Sequence, residues 1–154
     1  MRAAFAYLAV LGSAAFTGTT LCIGVAFGGY WTSLPPEDFL AWFAVNSGFI
    51  ARTIPIVAGP ALLGLLGSLW LARRDKCARG SWVIASAAML GVLIITMVYH
   101  LPTNAALANQ AVLPADVAAT LRTWLTLHAL RIALGLTAGG FALCAARHER
   151  GVSA

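Results

Sequence analysis

The chain has 154 residues, 60% of them hydrophobic and 10% charged, with a mean hydropathy of +0.85 and a net charge of +5. Soluble domains carry about 25% charged residues, so a soluble fold of this composition would expose large apolar patches, and an integral membrane protein is the better class. The basic balance does not indicate a nucleic-acid partner. The positive residues cluster in short loops beside apolar segments, which is the positive-inside pattern.

The length suits one compact bundle, a single integral membrane domain over residues 1–154. Cys22, Cys77 and Cys144 stand apart, with no CxxC or zinc spacing, which argues against a membrane thiol oxidoreductase. Cys22 and Cys144 read as packing residues inside apolar segments, and Cys77 as a free cytoplasmic thiol.

The first segment, about residues 3–30, contains no charge and exceeds the roughly 20 residues needed to span a bilayer. It is too long for a signal-peptide core of about 7–15 residues and reads as a retained helix. Ser13 and Thr17, and then Thr20, Gly24 and Gly28, recur at every fourth position, the spacing that lets helix backbones approach closely. A loop with Trp31, Pro35 and Pro36 follows, and Glu37 and Asp38 suit the positive end of the next helix. That helix, about 39–72, is longer than a simple span, and Pro55 and Pro60 are expected to kink it.

The charged stretch from Arg73 to Arg79 precedes a third segment, about 82–101, and a loop is expected from Pro102 to Leu121. Asp116 is a candidate N-cap for a fourth helix, about 117–146, in which Gly135 and Gly139 form another close-packing pair. Arg2, the Arg73–Arg79 cluster and the Arg147–Arg150 tail share one side of an even-numbered bundle. The positive-inside rule then puts both termini in the cytoplasm of a bacterial inner membrane. The expected fold is all-α: a four-helix transmembrane bundle, up-down-up-down.

In that topology the unusual polar residues converge on the outer half. Trp124, His128 and Arg131 are spaced i, i+4, i+7 and share a helical face. His100 ends the third segment, Asn46 and Arg52 lie in the outer half of the second, Tyr30 closes the first, and Glu37 hangs above. A central arginine costs about 2.5–3.5 kcal/mol to insert, so Arg52 and Arg131 either snorkel to the interface or turn inward to hold an anionic oxygen. His100 and His128 are candidate general bases, haem ligands, or metal ligands with Glu37 as a carboxylate, against the plainer reading of satisfied core histidines. Trp124 is an interfacial anchor or a lid on an aromatic ligand, and Asn104 a turn residue or a ligand contact.

Leu101-Pro102-Thr103-Asn104-Ala105-Ala106-Leu107, followed by Trp124-xxx-His128-xx-Arg131, resembles the anthrone-oxygenase-like family of small four-helix membrane proteins. The match is to a Pro-x-Asn-x-x-Leu motif after the third helix and a Trp-x-x-x-His-x-x-Arg motif in the fourth. By that resemblance Asn104, Trp124, His128 and Arg131 carry over as site residues. The implied activity is that of a monooxygenase or related oxidoreductase acting on an apolar aromatic, anthrone- or quinol-like substrate. His128 would act as base, Arg131 or Arg52 would hold the enolate oxygen, and Trp124 would stack on the ring. His100 enters the catalytic set on topology alone, with Asn46 and Tyr30 as further substrate contacts. A cofactor is not required; otherwise a metal or haem would sit at His100 and His128.

The competing reading is a non-enzymatic membrane subunit, or a lipid- or small-molecule-binding module; a homo-oligomer is compatible with either. A small multidrug transporter is disfavoured because residues 3–30 lack the membrane-embedded carboxylate such proteins use.

Overall fold

Inside a bilayer each backbone N–H and C=O has to be satisfied without water, which restricts an unclosed chain to helices. The computed structural model describes residues 1–73 and 75–151, with the side chains at 76, 77 and 149–151 outside that description. Among the described residues, four helices are long and apolar enough to cross a membrane. They are α1 (Arg2–Ser33), α2 (Pro36–Leu71), α3 (residues 76–108) and α4 (Pro114–Gly151). Links of a few residues make successive helices antiparallel, in an up-down-up-down bundle. α1 packs against α2 and α4, and α3 against α4 and α2.

The helix ends follow from local chemistry. Pro36 begins α2 with Glu37 and Asp38 in the first turn, beside the positive end of the helix. At the other end, Arg2 Nη2 donates to Leu71 O at 3.1 Å and Arg73 Nη1 to Trp70 O at 3.2 Å, covering carbonyls that have no intrahelical partner. Asp75 accepts the Ala78 N–H and caps α3.

Several expectations are corrected. α3 does not stop near Leu101 but continues to Ala108, and the link to α4 is residues 109–113, turned at Gln110 with φ 53°. Pro102 is tolerated because it stands at the start of a fresh α-helical stretch, where its missing N–H is not needed. α4 starts at Pro114, so Asp116 lies in its first turn and is not its cap. Cys22 and Cys144 are exposed on the apolar outer surface and do not pack in the core; Cys77 lies outside the described side chains.

The core is a seam of alternating three- and four-residue steps, the spacing of left-handed helix packing. On α4 it reads Val117, Leu121, Trp124, His128, Arg131, Gly135, Ala138, Ala142 and Ala145. Toward the termini the seam is built from small residues. A Cβ on Gly12 would collide with the backbone of Ala61, and one on Gly64 with that of Ala9, so α1 and α2 touch backbone to backbone there. Gly135 faces the Thr17 hydroxyl and Gly139 faces Ser13 Cβ, so α4 meets α1 through small side chains, less closely than α2 does.

In α1 and α3 the seam is interrupted once, by a π-helical segment in each: Ile23–Phe27 and Thr96–His100. A π turn takes in one extra residue, which rotates everything beyond it by about 100° relative to an uninterrupted α-helix. On α1 the buried positions step through Ala6, Ala9, Ser13, Phe16, Thr20 and Ile23, and would continue to Phe27 and Tyr30. Instead Gly28 and Trp31 are buried, and Tyr30 is 45% exposed. On α3 the steps Ala78, Trp82, Ala85, Met89 and Val92 point on to Tyr99 and Ala106, but His100 and Leu107 are the buried residues.

A bulky side chain at Gly64 should open the α1–α2 contact. We expect Gly64→Leu to lower stability by about 1–3 kcal/mol or more, as overpacking does. Gly18→Leu, at a position with no neighbour within 4 Å, should leave the detergent-solubilised melting temperature unchanged.

Candidate functional site

Both phase slips lie at the same level of the bundle, and between them sits its densest polar cluster. His100, His128 and Arg131 are each at most 4% exposed. They separate an alanine-rich core toward the termini from an aromatic core built on Trp31, Phe39, Phe43 and Trp124.

His128 is fixed from both sides. Its Nε2–H donates to Thr20 O on α1 at 2.7 Å; since a carbonyl only accepts, the hydrogen is on Nε2. Its Nδ1 therefore accepts, and Arg131 Nη1 donates to it at 3.5 Å. Trp124 lies flat on His128, with ring centroids 4.7 Å apart and planes at 13°. The indole is held in turn by its Nε1–H, which donates to Asn104 Oδ1 at 2.7 Å. The Pro-x-Asn and Trp-x-x-x-His-x-x-Arg stretches are thus joined across α3 and α4 by one hydrogen bond and a ring stack.

His100 packs edge-on against Trp124, at 4.8 Å between centroids, and lies 5.9 Å from His128. Its Nδ1–H donates to Ile95 O at 3.4 Å, across the π segment, which leaves Nε2 as an acceptor. Three buried polar atoms here have no partner in the protein: His100 Nε2, Arg131 Nε and Trp31 Nε1. Among the described residues no carboxylate pairs with Arg131.

A cavity of about 60 Å³ opens beside the cluster, lined by Ile23, Trp31, Phe43, Ser47, Ile50, Ala51, Ile54, Asn104, Trp124, His128 and Arg131. On the far side of His128 a wider groove of about 390 Å³ faces the lipid between α1 and α4, floored by Gly24, Gly28 and Gly29. Gly24 brings α1 against the histidine: a Cβ there would lie 3.0 Å from His128 Cδ2.

The expected residues divide. His100, Asn104, Trp124, His128 and Arg131 come together, while the structure places three others elsewhere. Arg52 is exposed, its guanidinium 5.9 Å over the Phe49 ring, because residue 52 falls off the α2 seam that carries Phe43, Ser47, Ile50 and Ile54. Asn46 is off the same seam and donates from Nδ2 to Trp42 O in its own helix. Tyr30 is turned out by the α1 slip and meets the edge of Trp42. Trp31, Ser47 and the Thr20 carbonyl stand in the site and were not foreseen.

The residues do not suit a haem or metal bridging His100 and His128. Both nitrogens of His128 are engaged, a guanidinium adjoins it, and the cavity is far smaller than a porphyrin. Glu37 is exposed at the start of α2, and among the described residues no group of three His, Cys, Asp or Glu side chains could hold a metal ion.

A family model described as anthrone oxygenase matches residues 42–141, which span most of α2, all of α3 and most of α4. No curated protein and no solved structure matches the chain.

The Asn104–Trp124 bond carries a prediction. Asn104→Leu leaves a buried indole N–H without an acceptor and should cost about 1–3 kcal/mol in unfolding experiments. Asn46→Leu removes only a bond to a carbonyl of its own helix, and should cost clearly less.

Proposed function

The chain belongs to the anthrone oxygenase family, and on that premise we propose that it is a membrane-embedded oxygenase acting on an apolar aromatic, anthrone- or quinol-like substrate at the cluster of His100, Asn104, Trp124, His128 and Arg131. The observation that carries this reading is Arg131, a guanidinium 4% exposed, without a carboxylate partner among the described residues and beside a cavity. A lipid-soluble aromatic that becomes an oxyanion on losing a proton brings the opposite charge to it at that moment. Donors fixed in advance in a water-poor site stabilise such a charge strongly.

For an anthrone the net reaction is substrate plus dioxygen to quinone plus water. A base removes the acidic proton, the anion adds dioxygen at carbon, and the resulting hydroperoxide loses water to leave the second carbonyl. The bonding pattern favours His100 over His128 as that base. His100 Nε2 makes no hydrogen bond in the protein, and because His100 packs against Trp124 outside the cavity lining, a substrate reaches it once the Trp124 ring shifts. The Nε2 hydrogen of His128 is committed to Thr20 and its Nδ1 accepts from Arg131. His128 is then a positioning residue that holds the guanidinium, and Trp124 is the ring face nearest to both histidines.

Size sets a further requirement. Drug-sized ligands occupy about 300–1,000 Å³, so a cavity of about 60 Å³ takes only the reacting edge of such a molecule. The ring body has to extend past the half-buried Ser47, Ile50 and Ile54, or into the wider groove behind His128. With both termini cytoplasmic, as the positive-inside pattern implies, the site lies in the outer half of the membrane and is reached from lipid.

Oxygen uptake by the nanodisc-reconstituted protein tests this directly. Anthrones should drive uptake with one quinone formed per dioxygen. His100→Gln and Arg131→Gln should each lower kcat about 10²–10³-fold, the range for a lost base or oxyanion donor, while Arg122→Gln should not. Full turnover by His100→Gln would remove the base assignment. Binding without uptake, across anthrones and quinols, would make this a ligand-binding module.

A further inference from the structure

The inner cavity, which the reading above gives to the reacting edge of an aromatic substrate, also has a chemistry of its own when no substrate is bound. Two of the residues that line it, Arg131 and Trp31, each carry a buried N–H without an acceptor in the protein: Nε of the guanidinium and Nε1 of the indole. Both groups can only donate. The guanidinium is positive, and no carboxylate balances it among the described residues. Glu37, Asp38 and Asp116 are exposed in the first turns of α2 and α4.

A buried charge without a counter-ion is costly, and an unsatisfied buried donor adds to the cost. What offsets the charge is an anion in the cavity that Arg131 lines. The volume limits its size: about 60 Å³ holds a few water-sized particles, not an extended carboxylate or a phosphate ester. Ile23, Phe43, Ile50 and Ile54 form the rest of the wall, which suits a weakly hydrated ion better than a strongly hydrated one.

We propose that the cavity between Trp31, Trp124 and Arg131 is a binding site for one small monovalent anion of the halide or azide class, held by the charge of the Arg131 guanidinium. The site goes beyond the reaction proposed above and is measured without any aromatic substrate. The two readings can therefore fail separately.

Bromide is a suitable probe in a Trp70→Phe background, which removes the 68% exposed tryptophan, because Trp31 and Trp124 are 2% and 4% exposed and shielded from collisional quenching. Titrating bromide into the detergent-purified protein at constant ionic strength should give a saturable loss of tryptophan fluorescence. Arg131→Gln should raise the half-saturation at least about tenfold, as loss of a charge-assisted hydrogen bond does. Trp31→Phe should weaken binding less, and Arg122→Gln, which alters an exposed charge, should have no effect. Quenching that stays linear in bromide and unchanged in Arg131→Gln would overturn the proposal and leave water as the occupant. If Arg131→Gln does not fold, anomalous diffraction from wild-type crystals grown in bromide decides the matter. A peak beside Arg131 supports the site, and a cavity without one overturns it.

Discussion

A guanidinium at mid-bundle, without a counter-charge among the described residues, persists only where its surroundings fix it, and here one chain of contacts does so. Arg131 leans on His128, His128 is anchored to a backbone carbonyl of α1, and α1 reaches it because Gly24 removes a side chain from the contact. Each link needs the one before it. The carbonyl is in reach only while α1 and α4 stay in the close register set by Thr17 against Gly135. A polar cluster that would be a liability in lipid is thereby held by backbone geometry, which depends on the glycines that let the helices approach.

Much of this was legible from spacing. An uncharged first segment, basic links and small residues at every fourth position are enough to derive four antiparallel spans. The i, i+4, i+7 arrangement of Trp124, His128 and Arg131 held because α4 has no irregularity along its length. The misplacements have one physical cause in common, which is helical phase. Arg52 and Asn46 were placed by depth alone. Depth locates a residue along the membrane normal and leaves its direction open, and the seam on α2 passes them by. Tyr30 was lost and Trp31 missed because nothing in the composition of residues 23–27 announces a π turn.

The two slips also explain why the cluster is so polar. Without its slip, α3 would present Tyr99 where His100 now stands, and α1 would present Tyr30 in place of Trp31. Irregular helical turns cost backbone stability, and they are found disproportionately where a protein has a task to perform. Two of them at one level, each turning a ring nitrogen without a protein partner into the interior, mark the same region as the family motifs do.

The two halves of the bundle differ in how they can yield. Toward the termini, glycine, alanine and serine put helix axes in direct contact, and rigid backbones in contact leave no slack. Toward the loops, the same helices are held apart by tryptophan and phenylalanine rings, which can pivot about their side-chain torsions without breaking the backbone ladder. A separation wide enough to admit a flat molecule therefore has to begin at the loop end, with the alanine half as its fulcrum. On the function proposed above, a flat substrate entering from the bilayer travels down a wedge and reaches the arginine last.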